Sequence, residues 1–132
     1  MLAQSPEPET RPVIRILLAA SLLFICTNQA TAADATLGAE RFKLMCATCH
    51  ATDPAQKKMG PHLKGIVGRK AGAVEGFSYS AALKNAGWTW DAAKLEAYLA
   101  DPKKTAPGTT MMMGAGNAAD RADIIAYLAT LK

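Results

Sequence analysis

The densest chemistry in the chain is Cys46-Ala-Thr-Cys49-His50, two thiols two residues apart followed at once by an imidazole. Thiolate and imidazole suit transition metals and redox chemistry, so three uses compete for this stretch. A thioredoxin-like dithiol requires a C-x-x-C that opens a helix after a strand in an α/β pattern. No strand-like alternation accompanies it here. A structural zinc site requires four closed ligands, for which Cys46, Cys49, His50 and His62 suffice in number. Adjacent donors at Cys49 and His50 suit a closed tetrahedron poorly. The third use, covalent haem attachment, has C-x-x-C-H as its signature. Two thiols at that spacing reach two vinyl groups on neighbouring edges of the ring, and the next side chain swings under the iron. The spacing therefore favours haem c on Cys46 and Cys49, with His50 as proximal iron ligand.

The chain that must position this site has 132 residues, the length of a single domain. Its hydrophobic share of 50% is raised by Ile16 to Cys26 (ILLAASLLFIC), 11 residues without a charge. A spanning helix needs about 20 apolar residues, so this run is short for one. Arg11 and Arg15 precede it and Ala30-Thr-Ala32 follows, the layout of an export signal with a small-x-small cleavage site. The expected organisation is an export signal over residues 1–32, or a retained anchor if it is not cleaved, and a globular domain over 33–132. Cys26 falls in the discarded part. Two cysteines remain in an oxidising compartment, where an unmodified pair would tend to form a disulfide. Cleavage removes Glu7, Glu9, Arg11 and Arg15, so the net charge stays at +4. A mildly basic chain favours acidic protein surfaces. No dense Lys/Arg run with interleaved aromatics argues for nucleic acid.

Within the globule, Thr36 to Met45 has helical spacing, with Leu37, Arg41 and Leu44 on one stripe and Gly38 and Phe42 on its neighbour. Residues 51–80 carry seven glycines and prolines, from Pro54 to Gly76, and read as loop and turn. Ser80 to Asn85 predicts a short helix ended by Gly87. Asp91 to Leu99 predicts another, capped by Asp91 and stopped before Pro102. Lys103 to Gly116 lacks a period and reads as loop. Asn117 to Leu131 predicts a last helix with Ile124, Ile125, Leu128 and Leu131 on its apolar face. The expected fold is all-α, about four helices with long loops. So small a domain with so much loop buries only a modest core, which a disc-shaped apolar cofactor would complete.

Across essentially all of the expected mature chain the sequence resembles class I cytochrome c, in the mitochondrial-like form shared by many bacteria. The matching stretches are CATCH, GPHLKGIVGRKAG (60–72), GFSYSAALKNAGWTW (76–90), LEAYLADPKK (95–104), PGTTM (107–111) and RADIIAYL (121–128). The resemblance implies a cytochrome c fold wrapped around one covalently bound haem c, His/Met ligation and one-electron transfer. On it, Cys46 and Cys49 match the thioether attachments and His50 the proximal ligand. Met111 matches the distal ligand, with Met112 and Met113 expected to pack in the core or haem crevice. Pro61 matches the proline whose carbonyl region orients the proximal histidine. Arg69, Tyr79 and Trp90 match residues that hold a buried haem propionate, and Tyr98 matches a tyrosine near the methionine sulfur. Gly38, Phe42, Ile124 and Tyr127 match the crossing of the terminal helices. The sequence departs from the pattern at His62, expected as a surface or loop histidine, at Leu83, where many relatives carry asparagine, and at Met113, where an aromatic often closes the crevice.

Two axial ligands leave the iron no free site for substrate, which argues for a carrier and against an enzyme. The expected function is a soluble periplasmic electron carrier, working as a monomer with no stable membrane insertion if the signal is cleaved. It would take electrons from a dehydrogenase or quinol-oxidising complex and pass them to an acceptor such as a terminal oxidase. Lysines 57, 58, 64, 70, 84, 103 and 104 would form a positive ring for acidic docking surfaces. Two other readings stand beside it: a haem peroxidase or gas sensor with a labile methionine, and a membrane-tethered redox subunit.

Overall fold

The computed structural model describes residues 32–132, so the expected export segment lies, but for Ala32, outside the described residues. Five helical segments follow in order: α1 (Ala35–Met45), α2 (Ala81–Lys84), α3 (Ala92–Ala100), α4 (Pro102–Thr105) and α5 (Ala118–Thr130). Each starts at a side chain able to accept from the orphan amides of a first turn. Asp34 accepts from the amides of Thr36 and Leu37, Asp91 from that of Lys94, and Asn117 from those of Ala119 and Asp120.

Helix α4 departs from the expected loop. Pro102, expected as a stop, follows the end of α3; it also opens the next turn, because its fixed φ and missing N–H suit the first helical position. Asp101 caps that turn by accepting from the amide of Lys104 at 3.0 Å. One residue thus closes α3 and starts α4.

The frame of the unit is the crossing of α1 and α5. A side chain at Gly38 would collide with the Asp123 carbonyl and come within 2.9 Å of the Tyr127 Cβ, so only glycine allows this approach. Phe42 packs one turn on, its ring 5.4 Å from that of Tyr127. Ile124 of α5 is fully buried in the same core. The buried stripe of α1 is therefore Gly38 and Phe42, while Leu37 and Leu44 of the neighbouring stripe are exposed.

Between α1 and α3 the chain is held by paired backbone rather than by helix. Trp90 donates its amide to the Arg69 carbonyl at 2.8 Å, and its carbonyl accepts from Gly68 at 2.7 Å. The Ala71 amide adds a bond to Trp88 at 2.9 Å, around an isolated bridge of Lys70 with Thr89. Gly72 turns this segment with φ at 71°, and a Cβ there would meet the Leu83 carbonyl at 2.9 Å. Phe42, Ile66, Trp90, Leu95, Tyr98, Leu99, Ile124 and Leu128 form the core, with Cys46, Leu63, Leu83 and Met111 packed partly buried against it. Among the described residues no helix is long and apolar enough to cross a membrane.

Candidate functional site

Helix α1 ends at Met45, and the chain leaves it in a tight turn that carries the donor residues. The amides of Cys49 and His50 both bond to the Cys46 carbonyl, at 3.1 and 2.9 Å. This turn keeps the two thiols and the imidazole on one short arc. Both thiols are free and half-buried. Burial, and secondarily the neighbouring Cys49, push the Cys46 thiol up to about 11, so it stays protonated and uncharged.

The His50 ring is fixed from its far side. Its Nδ1 lies 2.8 Å from the Pro61 carbonyl oxygen, and so carries the proton it donates there. The other nitrogen, Nε2, is left with a lone pair. Burial is the main cause lowering the pKa of this imidazole, against the raising effect of the Pro61 bond, which keeps the ring neutral and able to ligate. Gly60 explains how the loop comes so near. A Cβ there would overlap the ring at Cε1 and lie 2.7 Å from Nδ1. The pair Gly60-Pro61 thus supplies both the clearance and the acceptor.

Met111 is reached from α3. Tyr98 sends its hydroxyl to the Thr109 Oγ1 at 2.7 Å, within the buried core, and the Met111 amide donates to the same oxygen at 3.3 Å. Thr109 is the hinge pin between the helix and the methionine. Tyr98 acts through Thr109 here, and burial raises its pKa, so the phenol keeps its proton. Past Met111 the chain is tied down again: the Ala115 amide bonds to the Leu99 carbonyl at 2.7 Å. Arg121 of α5 donates from Nη1 to the carbonyls of Ala115 and Gly116, both at 2.8 Å, and from Nε to Glu96 at 2.7 Å. The role of Arg121 was missed in the sequence, where it is one charge on an amphipathic helix; nothing local marks it as the anchor of a distant loop. Met112 and Met113, expected in the core or crevice, are instead 71% and 69% exposed.

Arg69, Tyr79 and Trp90 come together around the paired segments. Arg69 and Trp90 are joined through their backbones, and the charge of Arg69 is felt by the Tyr79 phenol. Tyr79 accepts from the Val74 amide at 3.4 Å, leaving its own proton free to donate, and burial raises its pKa. Two guanidinium nitrogens of Arg69 donate to the carbonyls of Lys64 and His62, at 3.0 and 2.9 Å. Trp90 lies buried with its ring 5.0 Å from that of Tyr98 and 5.7 Å from that of Trp88. His62 lies in a loop, as expected, and is partly buried; its Nδ1 is enclosed without a hydrogen-bond partner among the described residues.

This donor set fits haem c. Two thiols two residues apart, an oriented neutral imidazole and a thioether are what thioether attachment and axial ligation require. The zinc alternative does not fit, because among the described residues no three His, Cys, Asp or Glu side chains gather around one point.

The family model for Cytochrome c matches residues 35–132. The chain is 48% identical over 99 residues to a cytochrome c-type cyt cy of Rhodobacter capsulatus, covering 74% of this chain and 49% of that protein. It therefore spans about half of that relative's length. It is 44% identical over 119 residues to cytochrome c2 of Rhodomicrobium vannielii, covering 89% of this chain and 94% of the relative. Among solved structures, cytochrome cH from Methylobacterium extorquens matches with a TM-score of 0.67 at 46% identity, over 74% of this chain and 98% of that one. The chain belongs to the cytochrome c family of electron carriers, which are not enzymes and which bind one covalent haem c through the Cys-x-x-Cys-His motif found here at Cys46, Cys49 and His50.

Proposed function

We propose that the chain is a one-electron carrier whose haem iron is held by His50 and Met111. The observation that carries this reading is the His50 imidazole, committed through Nδ1 to Pro61 and left with Nε2 free for iron. Fixing the outer nitrogen sets the tautomer and orients the ring, as second partners of ligating histidines commonly do. When bound, the haem supplies an iron that accepts and returns a single electron. The chain's own residues hold and tune it. Cys46 and Cys49 secure the ring covalently. Tyr98 and Thr109 set the backbone on which Met111 presents its sulfur. Arg69, Tyr79 and Trp90 are offered as donors for a propionate, a charge that would be costly to bury without them. A thioether opposite an imidazole favours ferrous iron, so the potential should lie above that of a two-histidine site.

The partners proposed are redox proteins with acidic docking surfaces: a dehydrogenase or quinol-oxidising complex as donor and an acceptor such as a terminal oxidase. All seven lysines of the expected ring are exposed, in support of electrostatic steering. Export to the periplasm through residues 1–32 belongs to the same proposal. Optical spectra of the ferric and ferrous protein, with and without carbon monoxide, test the ligation. A low-spin spectrum indifferent to carbon monoxide supports two strong axial ligands. Ready carbon monoxide binding would overturn Met111 as a firm ligand.

A further inference from the structure

The turn that follows α1 leaves one carbonyl unclaimed by the backbone. The Cys46 carbonyl accepts from the Cys49 and His50 amides, and that of Cys49 accepts from the Gly60 amide at 2.7 Å. Among the described residues the Ala47 carbonyl between them receives no backbone amide. Its partner is a side chain 11 residues further on: the Lys58 ammonium donates to it. This oxygen lies just past the end of α1, where the last carbonyls of a helix point outward and carry its partial negative charge. A lysine there takes up a free acceptor and complements the dipole together. Lys58 belongs to a stretch without a helix or strand, and its bond joins that of Gly60 in closing this stretch onto the arc of donor residues, on either side of Thr48.

The same ammonium is felt at the His50 ring. Burial is the first cause lowering the proton affinity of that imidazole, and the charges of Arg69 and Lys58 add to it against the Pro61 bond. The adjacent Lys57 acts elsewhere, on the His62 ring, where its charge follows burial and Arg69 in the same sense. Two lysines side by side in the chain thus address different histidines. Only Lys58 is tied by a hydrogen bond to the turn that carries the donor residues.

We propose that Lys58 is a positioning residue for the proximal side of the site, capping the turn from Cys46 to His50 through the Ala47 carbonyl and fixing a positive charge there that raises the reduction potential. The inference rests on His50 as the proximal ligand. A cation that opposes a proton on the imidazole also opposes the additional positive charge of ferric iron bound to that ring, so it favours the ferrous form. The bond to Ala47 matters because a lysine left free spreads its charge over a wide arc of solvent, whereas a tethered one acts from a fixed place. Lys58 is exposed, so salt should weaken the effect.

The test compares Lys58→Gln, Lys58→Arg and Lys57→Gln with the parent, all haem-loaded, by reduction potential at low and high salt and by hydrogen exchange of the Cys49 and His50 amides. Both lysines are exposed, so the variants should fold normally. The two Gln variants remove the same charge one residue apart, which separates position from net charge. Lys58→Gln is expected to lower the equilibrium constant for reduction several-fold at low salt and less at high salt, and to speed exchange of both amides several-fold as the turn opens locally. Lys58→Arg should restore both, and Lys57→Gln should leave exchange unchanged and move the equilibrium far less. Equal shifts of potential in the two Gln variants would overturn the placed charge, and unchanged exchange in Lys58→Gln would overturn the cap. Failure of His50 as a ligand would show differently, as a parent protein whose spectrum is not low-spin before any lysine is changed.

Discussion

The crossing of α1 with α5 and the segment that carries Met111 hold the same small domain together by opposite means. At the crossing, two long helices meet without a side chain between Gly38 and the Asp123 carbonyl, and Ile124 is fully enclosed. Around Met111 no regular structure runs at all. Thr109 ties one end to Tyr98, and Ala115 with Gly116 ties the other to Leu99 and Arg121, while Met112 and Met113 between them face solvent. Dense packing tolerates no change of volume, whereas a loop pinned at two points depends on a few hydrogen bonds. The comparison teaches that the frame and the Met111 loop should fail separately: damage to the first unfolds the protein, and damage to the second would, on the proposed ligation, loosen Met111 while leaving the frame intact.

The largest effect is expected at the crossing. Gly38→Val must push the helices apart, at a cost of about 3 kcal/mol, which for a domain of this size lowers Tm by more than about 10 °C in a thermal melt. A melt unchanged within a degree or so would mean that the crossing is not the frame. Next comes Arg121→Gln, which removes the donor to two loop carbonyls and one partner of Glu96, for about 2 kcal/mol. Faster carbon monoxide binding should accompany that loss, since the variant loosens the loop as well as the core.

These two positions also show how much could be read in advance. The helices announced themselves through apolar period and capping residues, since α1, α3 and α5 need only local sequence to be recognised. The haem-binding arc was equally legible, because Cys46, Cys49 and His50 are neighbours in the chain. What escaped the sequence depends on distant partners. Arg121 reaches carbonyls five and six residues back, and only the path of the loop reveals them. Met112 and Met113 have the same chemistry as Met111, so nothing in residue type says which of the three turns inward. His62 reads as a loop histidine, yet the chain folds over its Nδ1. Pro102 was legible as an end and not as a beginning, because its effect on the following turn needs the Asp101 cap to be in place.

Smaller effects separate the pins of the ligand loop. Tyr98→Phe keeps the ring in the core and removes the bond to Thr109, an expected loss of about 1 kcal/mol. Denaturant melts should show that loss without a change in slope, and the rate of carbon monoxide binding should rise. If stability falls but carbon monoxide remains excluded, Thr109 does not govern Met111. The smallest effect belongs to Met112→Ala, which trims an exposed side chain and should change stability by less than about 0.5 kcal/mol.

The most direct test of the central claim compares Met111→Ala with Met112→Ala and Met113→Ala in the ferrous protein under carbon monoxide. The account expects rapid, complete carbon monoxide binding and a high-spin starting spectrum for Met111→Ala alone, with both neighbours indistinguishable from the parent. A Met111→Ala protein that stays low-spin and closed to carbon monoxide, or a neighbour that opens in its place, would contradict it.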